Sequence, residues 1–104
     1  MTETEIPAAA DAAMRLDPPH PGHAIADGCI GRDAARLGGE RTIAAAASRL
    51  GVSRKHLSSV INGRCGVSPA LAVRLERAGW GTAEGWLWRQ ARWDIARERE
   101  RLAA

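Results

Sequence analysis

The 104-residue sequence has no long apolar run, only two cysteines and, across its centre, no acidic side chain. No apolar stretch approaches the ~20 residues that span a bilayer, so no membrane partner is expected. The first residues lack the basic and apolar blocks of a secretory signal, and a cytoplasmic protein is expected. Cys29 and Cys65 lie far apart and outside any metal-type spacing, which favours free thiols in a reducing compartment over a disulfide. No strand-like alternation and no hairpin signal occurs, so the fold class expected is all-α. Ser–His–Asp sets, paired carboxylates and glycine-rich phosphate loops are missing, which leaves no basis for catalysis and none for a cofactor. His20 and His23 have no cysteine or carboxylate set to complete a metal site; an exposed loop and helix start are expected there. A chain of this length buries one modest core, not two.

The acid-free stretch is where the information lies. From Arg41 to Arg74 there are six cationic residues and no acidic one, whereas residues 1–17 hold four acids against Arg15. Net charge is only +3, so its distribution says more than its total.

Within that stretch two short helices are legible. Thr42 is suited to cap the first, and Ile43, Ala46, Ala47 and Leu50 share one face at i, i+3, i+4 and i+7. Gly51 then permits a left-handed turn, and Ala47 is small where two helices must cross closely. Val52 anchors the turn, Ser53 caps the second helix, and Leu57, Val60 and Ile61 form its inward stripe. Asn62-Gly63 ends it. This is the pattern of a helix-turn-helix.

The outward face of the second helix carries Lys55, Ser58, Ser59 and Asn62 at i, i+3, i+4 and i+7, with Arg54 beside them. Such donors reach phosphates and base edges, and an isolated helix fits the major groove. A solvated helix of a generic bundle more often mixes Glu with Lys. Ser53, Asn62 and the following Arg64 are expected on phosphates; Arg54, Lys55, Ser58 and Ser59 are expected at base edges, with at least one guanine in each half-site. His56 suits either a phosphate contact or simple exposure. Thr42 completes the expected DNA-binding set.

Around this segment the chain divides into an acidic tail at 1–19, a DNA-binding domain at 20–82 and a last helix at 83–104. The tail is Ala-rich and closed by Pro18-Pro19; a short helix near 8–16 is marginal alone, so a flexible tail is expected. A first core helix is expected from Pro21-Gly22 to about Cys29. Ser68-Pro69 opens another, with Leu71, Ala72, Leu75 and Ala78 buried and Gly79 at its end. Thr82 caps the last helix, which runs to about Arg101. Trp86 and Trp93 share one stripe of it; Trp88, Ile95 and Leu102 share another. One stripe suits the core and the other, Trp88, Ile95 and Leu102, a second subunit, although aromatic stripes often simply complete a core. A homodimer is what a palindromic operator requires. The RERERL end alternates charge as a solvated helix does.

From about His20 to Ala96 the chain resembles the HigA-type antitoxins of the phage-repressor-like (XRE) helix-turn-helix family. The resemblance is carried by HPG at 20–22, LGVSRKHLSSVINGR at 50–64, GVSPALAVRLERAGW at 66–80 and WLWRQARWDI at 86–95, which fits the family's Trp-Leu-x-x-Gln-x-x-aromatic-Asp pattern. The segment between HPG and the helix-turn-helix is several residues longer than usual and contains Gly38-Gly39. The resemblance implies a five-helix repressor-like domain whose C-terminal helix contributes to dimerisation. It implies an antitoxin that neutralises an mRNA-endonuclease toxin and represses its own operon. A stand-alone repressor with no toxin partner would use the same DNA-facing residues.

Overall fold

The computed structural model describes residues 18–103. Residues 1–17, with the expected tail helix near 8–16, lie outside the described residues. Six helices follow in order: α1 (Pro21–Cys29), α2 (Arg32–Arg36), α3 (Ile43–Leu50), α4 (Arg54–Ile61), α5 (Pro69–Arg77) and α6 (Ala83–Ala103). The architecture is all-α, as expected, with one more short helix than the sequence suggested.

Helix starts are set by local chemistry. Thr42 Oγ1 accepts from Ala45 N at 3.1 Å, Ser53 Oγ from His56 N at 3.0 Å, Ser68 Oγ from Leu71 N at 3.2 Å and Thr82 Oγ1 from Gly85 N at 3.0 Å. Each satisfies one backbone donor that the first turn leaves unpaired. Pro21 and Pro69 stand in the first turn of α1 and α5, where no amide hydrogen is needed. Between α3 and α4, Gly51 takes the left-handed conformation (φ 75°, ψ 30°). That backbone conformation requires glycine, and an added Cβ would also push aside the Arg74 guanidinium.

Ile25, Leu57, Val60, Leu71 and Leu75 are fully buried at the meeting point of α1, α4 and α5, and Trp80 and Trp86 close the same core. Each such side chain contributes about 1.5–3 kcal/mol by leaving water. α1 crosses α4 at close range. A Cβ built on Gly22 would lie 2.0 Å from the Val60 carbonyl oxygen, so only glycine lets the two backbones approach.

The segment expected as a plain loop after α1 is organised. Gly31 N donates to Glu40 O and Glu40 N to Cys29 O, both at 2.8 Å, which pairs Ile30 with Glu40 in an isolated parallel bridge. The turns of α2 fill the loop so closed. Arg49 and Trp80 then hold it to the domain: Arg49 Nη1 donates to Gly38 O at 2.7 Å, Trp80 Nε1 to the same oxygen at 3.0 Å, and the guanidinium stacks 4.6 Å over the Trp80 ring. Such a closure depends on partners distant in sequence, which periodicity does not report.

His20 departs from the exposed position expected for it. It is 4% exposed, its Nδ1 accepts from Gly22 N at 2.9 Å as the cap of α1, and its ring meets Trp93 edge-on at 4.8 Å. The burial comes from α6, which lays Trp93 across it. Among the described residues no group of His, Cys, Asp or Glu is arranged to hold a metal ion. No described helix is long and apolar enough to cross a membrane. Cys29 is buried and Cys65 exposed, both as free thiols; burial pushes the Cys29 thiol up, which keeps it protonated and inert.

Candidate nucleic-acid interface

α4 is held from one side only. Leu57 and Val60 are sunk in the core and Gly22 braces the helix at Val60, while Arg54, Lys55 and Asn62 project outward. Ser58 and Ser59 are half-buried between them. With Arg64 from the following turn, these side chains line an open groove of about 480 Å³. Among the described residues no acidic side chain lines it. Asn62 Nδ2 points along the groove toward Ser58 Oγ at 3.4 Å, a long contact that a stronger acceptor can replace. A surface of cations, hydroxyls and an amide offers donors at the spacing of one helix face and repels no anion.

Six of the nine residues expected to contact DNA therefore line one groove. The other three sit at its margins or elsewhere. Ser53 is exposed at the start of α4; its oxygen is occupied by capping, and its hydroxyl hydrogen is left to donate. His56 is exposed in the first turn but does not line the groove. Thr42 is exposed at the start of α3, its oxygen likewise used as a cap.

Two of the cations in the acid-free stretch have structural work instead. Arg74 Nη1 donates to the carbonyls of Leu50 at 2.9 Å and Gly51 at 3.3 Å, closing the end of α3. Arg49 Nη2 donates to Ala78 O at 2.7 Å while its Nη1 serves Gly38 and Glu40. A cation near a helix C-terminus also favours its dipole. Charge counting along the sequence cannot separate these two from Arg54, Lys55 and Arg64, because the distinction is which carbonyls lie within reach.

Behind the turn that follows α4 lies a polar cluster that sequence reasoning missed. Gln90 Oε1 accepts from Val67 N at 2.7 Å and Gln90 Nε2 donates to Asp94 Oδ1 at 2.9 Å. His20 faces the same turn, lining one cleft with Gly63, Cys65 and Gln90. Burial holds the His20 imidazole below its usual value, with nearby His23 adding to the effect and Asp94 and the Cys65 contact opposing it. A neutral ring is also what its acceptor role at Nδ1 requires. The available signals were HPG and the Gln of the Trp-Leu-x-x-Gln pattern.

On α6 the second stripe stands clear of the core: Trp88 is 57%, Ile95 48% and Leu102 71% exposed. Arg92 stacks 4.8 Å over the Trp88 ring. Trp86 is buried and Trp93 half-buried, so the two stripes face different surroundings.

No protein-family model matches the chain. It is 38% identical over 88 residues to virulence-associated protein A' of Dichelobacter nodosus, covering 84% of this chain and 70% of that one. Among solved structures it is similar to an addiction module antidote protein of a HigA family from Coxiella burnetii (TM-score 0.69, 23% identity, 83% of this chain and 87% of that one). It is also similar to a protein of Nostoc punctiforme assigned as an antidote of a plasmid maintenance system (TM-score 0.63, 29% identity, 86% and 98%). A third is a Pseudomonas aeruginosa protein in complex with its 28-bp operator DNA (TM-score 0.64, 26% identity, 78% and 82%). With a relative at this identity and coverage, the chain belongs to the family of virulence-associated protein A', and its fold is that of the HigA-type antidote proteins.

Proposed function

We propose that this protein is a dimeric operator-binding antitoxin that lays α4 in the major groove, represses its own operon and neutralises a partner toxin. The observation that carries the DNA-binding part is the acid-free groove formed by Arg54, Lys55, Ser58, Ser59, Asn62 and Arg64 on the exposed side of α4. The similarity to an operator-bound protein supports the same reading. Arg54 and Lys55, with Ser58 and Ser59, read base edges; Ser53, Asn62 and Arg64 grip phosphates and set register. Thr42 and His56 approach the flanking backbone. Trp88, Ile95 and Leu102 meet their counterparts in a second copy, which places two recognition helices on half-sites about 34 Å apart or a multiple of it. The toxin role is supported by similarity to an addiction module antidote and to an antidote of a plasmid maintenance system.

Titrating the full chain against its own upstream DNA at increasing salt tests the first part. Phosphate contacts release counterions, so affinity falls steeply and linearly on a log–log scale. A flat response overturns the groove assignment. Co-expression with the neighbouring reading frame tests the second: rescue of growth and a co-purifying complex are expected. A neighbour that is neither toxic nor bound leaves a repressor without a toxin.

A further inference from the structure

We propose that His20 and Gln90 are positioning residues for the DNA-facing edge, holding the 62–67 turn from behind so that Arg64 is presented to the phosphate backbone. This rests on the operator-binding function proposed above and assigns a task to two residues that contact no DNA in it. Residues 62–67 leave the C-terminal end of α4, and Arg64 is the last cation of the groove. The turn's near end is tied to α4 itself: Gly63 N donates to Val60 O at 3.0 Å and Arg64 N to Ser59 O at 2.9 Å. Its far end is tied to other elements. Gln90 reaches across from α6 to the Val67 amide at 2.7 Å, and the donor half of its amide is fixed by Asp94 at 2.9 Å, which sets the orientation of the acceptor half.

Gly66 makes that reach possible. A Cβ there would lie 3.0 Å from both Cδ and Nε2 of Gln90, so the bare backbone is what lets the carboxamide pack against it. His20 comes from the start of α1 to the same turn: its ring carbons lie 3.8 and 3.9 Å from the position of a Gly63 Cβ, and it lines one cleft with Cys65 and Gln90. Trp93, one turn along α6 from Gln90, holds that ring edge-on at 4.8 Å. Two motif residues from opposite ends of the domain thus converge on one turn, and Arg64, the groove-lining cation outside α4 among the described residues, sits on it. A shift of α6 against the domain is passed to Arg64 through these contacts.

The test uses the full-length chain, its own upstream DNA and a double-mutant cycle. Gln90→Leu leaves the Val67 amide without its acceptor and is expected to weaken operator binding on the order of tenfold. The salt slope falls by about one, as for Arg64→Ala, because the same phosphate contact is lost. In the Arg64→Ala background Gln90→Leu costs nothing further, since both act through one contact. Combining Gln90→Glu with Asp94→Asn keeps an acceptor at Val67 and reverses the donor beside it; binding returns toward wild type. His20→Asn, which retains a capping oxygen for α1, gives a smaller loss with the same change in slope. Additive losses, or an unchanged slope, overturn the proposal. Amide exchange read without DNA separates the two claims. If the wild type ignores its upstream DNA, the operator reading fails, whereas a Val67 amide still protected in Gln90→Leu overturns the positioning role alone.

Discussion

The start of α4 and the end of α6 both carry cationic side chains and differ in what surrounds each of them. At the end of α6, Arg97 pairs with Glu100 at 3.2 Å and stacks 5.1 Å over Trp93, and Arg101 pairs with Glu98. On α4, Arg54 and Lys55 face a groove that no acidic side chain lines among the described residues. The first arrangement pairs cations with neighbouring carboxylates and solvates a helix end. The second leaves donors whose natural complement is an anion brought from outside. Between these extremes, Arg49 and Arg74 are consumed by backbone carbonyls. A cation's local partners, not its presence, mark an interface.

The largest expected effect removes the platform beneath the α4 groove. Gly22→Ala forces a Cβ against the Val60 carbonyl, a backbone atom that cannot swing aside. It should cost about 3 kcal/mol of unfolding free energy in urea titrations. Wild-type stability would show that α1 does not brace α4 as described. Next comes Ile95→Asp, which puts charge into the exposed stripe of α6. It should move the proposed dimer toward monomer in sedimentation velocity without lowering the melting temperature, and an unshifted peak would rule that stripe out as the proposed interface.

A smaller effect is expected from pH. Burial lowers the His20 pKa, so the fold favours the neutral ring. The unfolded chain binds the proton more readily, and stability therefore rises with pH across this interval. The contribution is complete above the usual imidazole value of 6.5 and is lost as pH falls through the lowered folded value. Wild type should lose more stability than His20→Asn between neutral and mildly acidic pH. Equal losses would place the proton-linked change elsewhere. The smallest effect is Arg101→Ala, an exposed paired cation, which should leave melting temperature and operator affinity within error.

Much of the fold was legible because its determinants are local. Thr42, Ser53, Ser68-Pro69, Thr82 and Gly51 each act within four residues of themselves, so their spacing to the apolar stripes announced four helices and the tight turn. The outward set of α4 was legible for the same reason: one helix's periodicity orders it. What stayed hidden depends on packing between distant segments. The bridge of Ile30 to Glu40, the burial of His20 under Trp93, the reach of Arg49 to Ala78 and of Gln90 to Val67 all follow from how helices assemble. HPG and the Gln90 pattern were visible as motifs, yet their shared target appears only once α1 and α6 flank the same turn.

The central claim is that α4 reads DNA through its unpaired cations. The most direct measurement is the base-preference profile of wild type, Arg54→Ala, Lys55→Ala and Arg101→Ala against a randomised library built on the chain's own upstream sequence. Each α4 variant should lose about 1–3 kcal/mol at one operator position and relax its preference there, while Arg101→Ala keeps the wild-type profile. Unchanged profiles for both α4 variants would contradict the account.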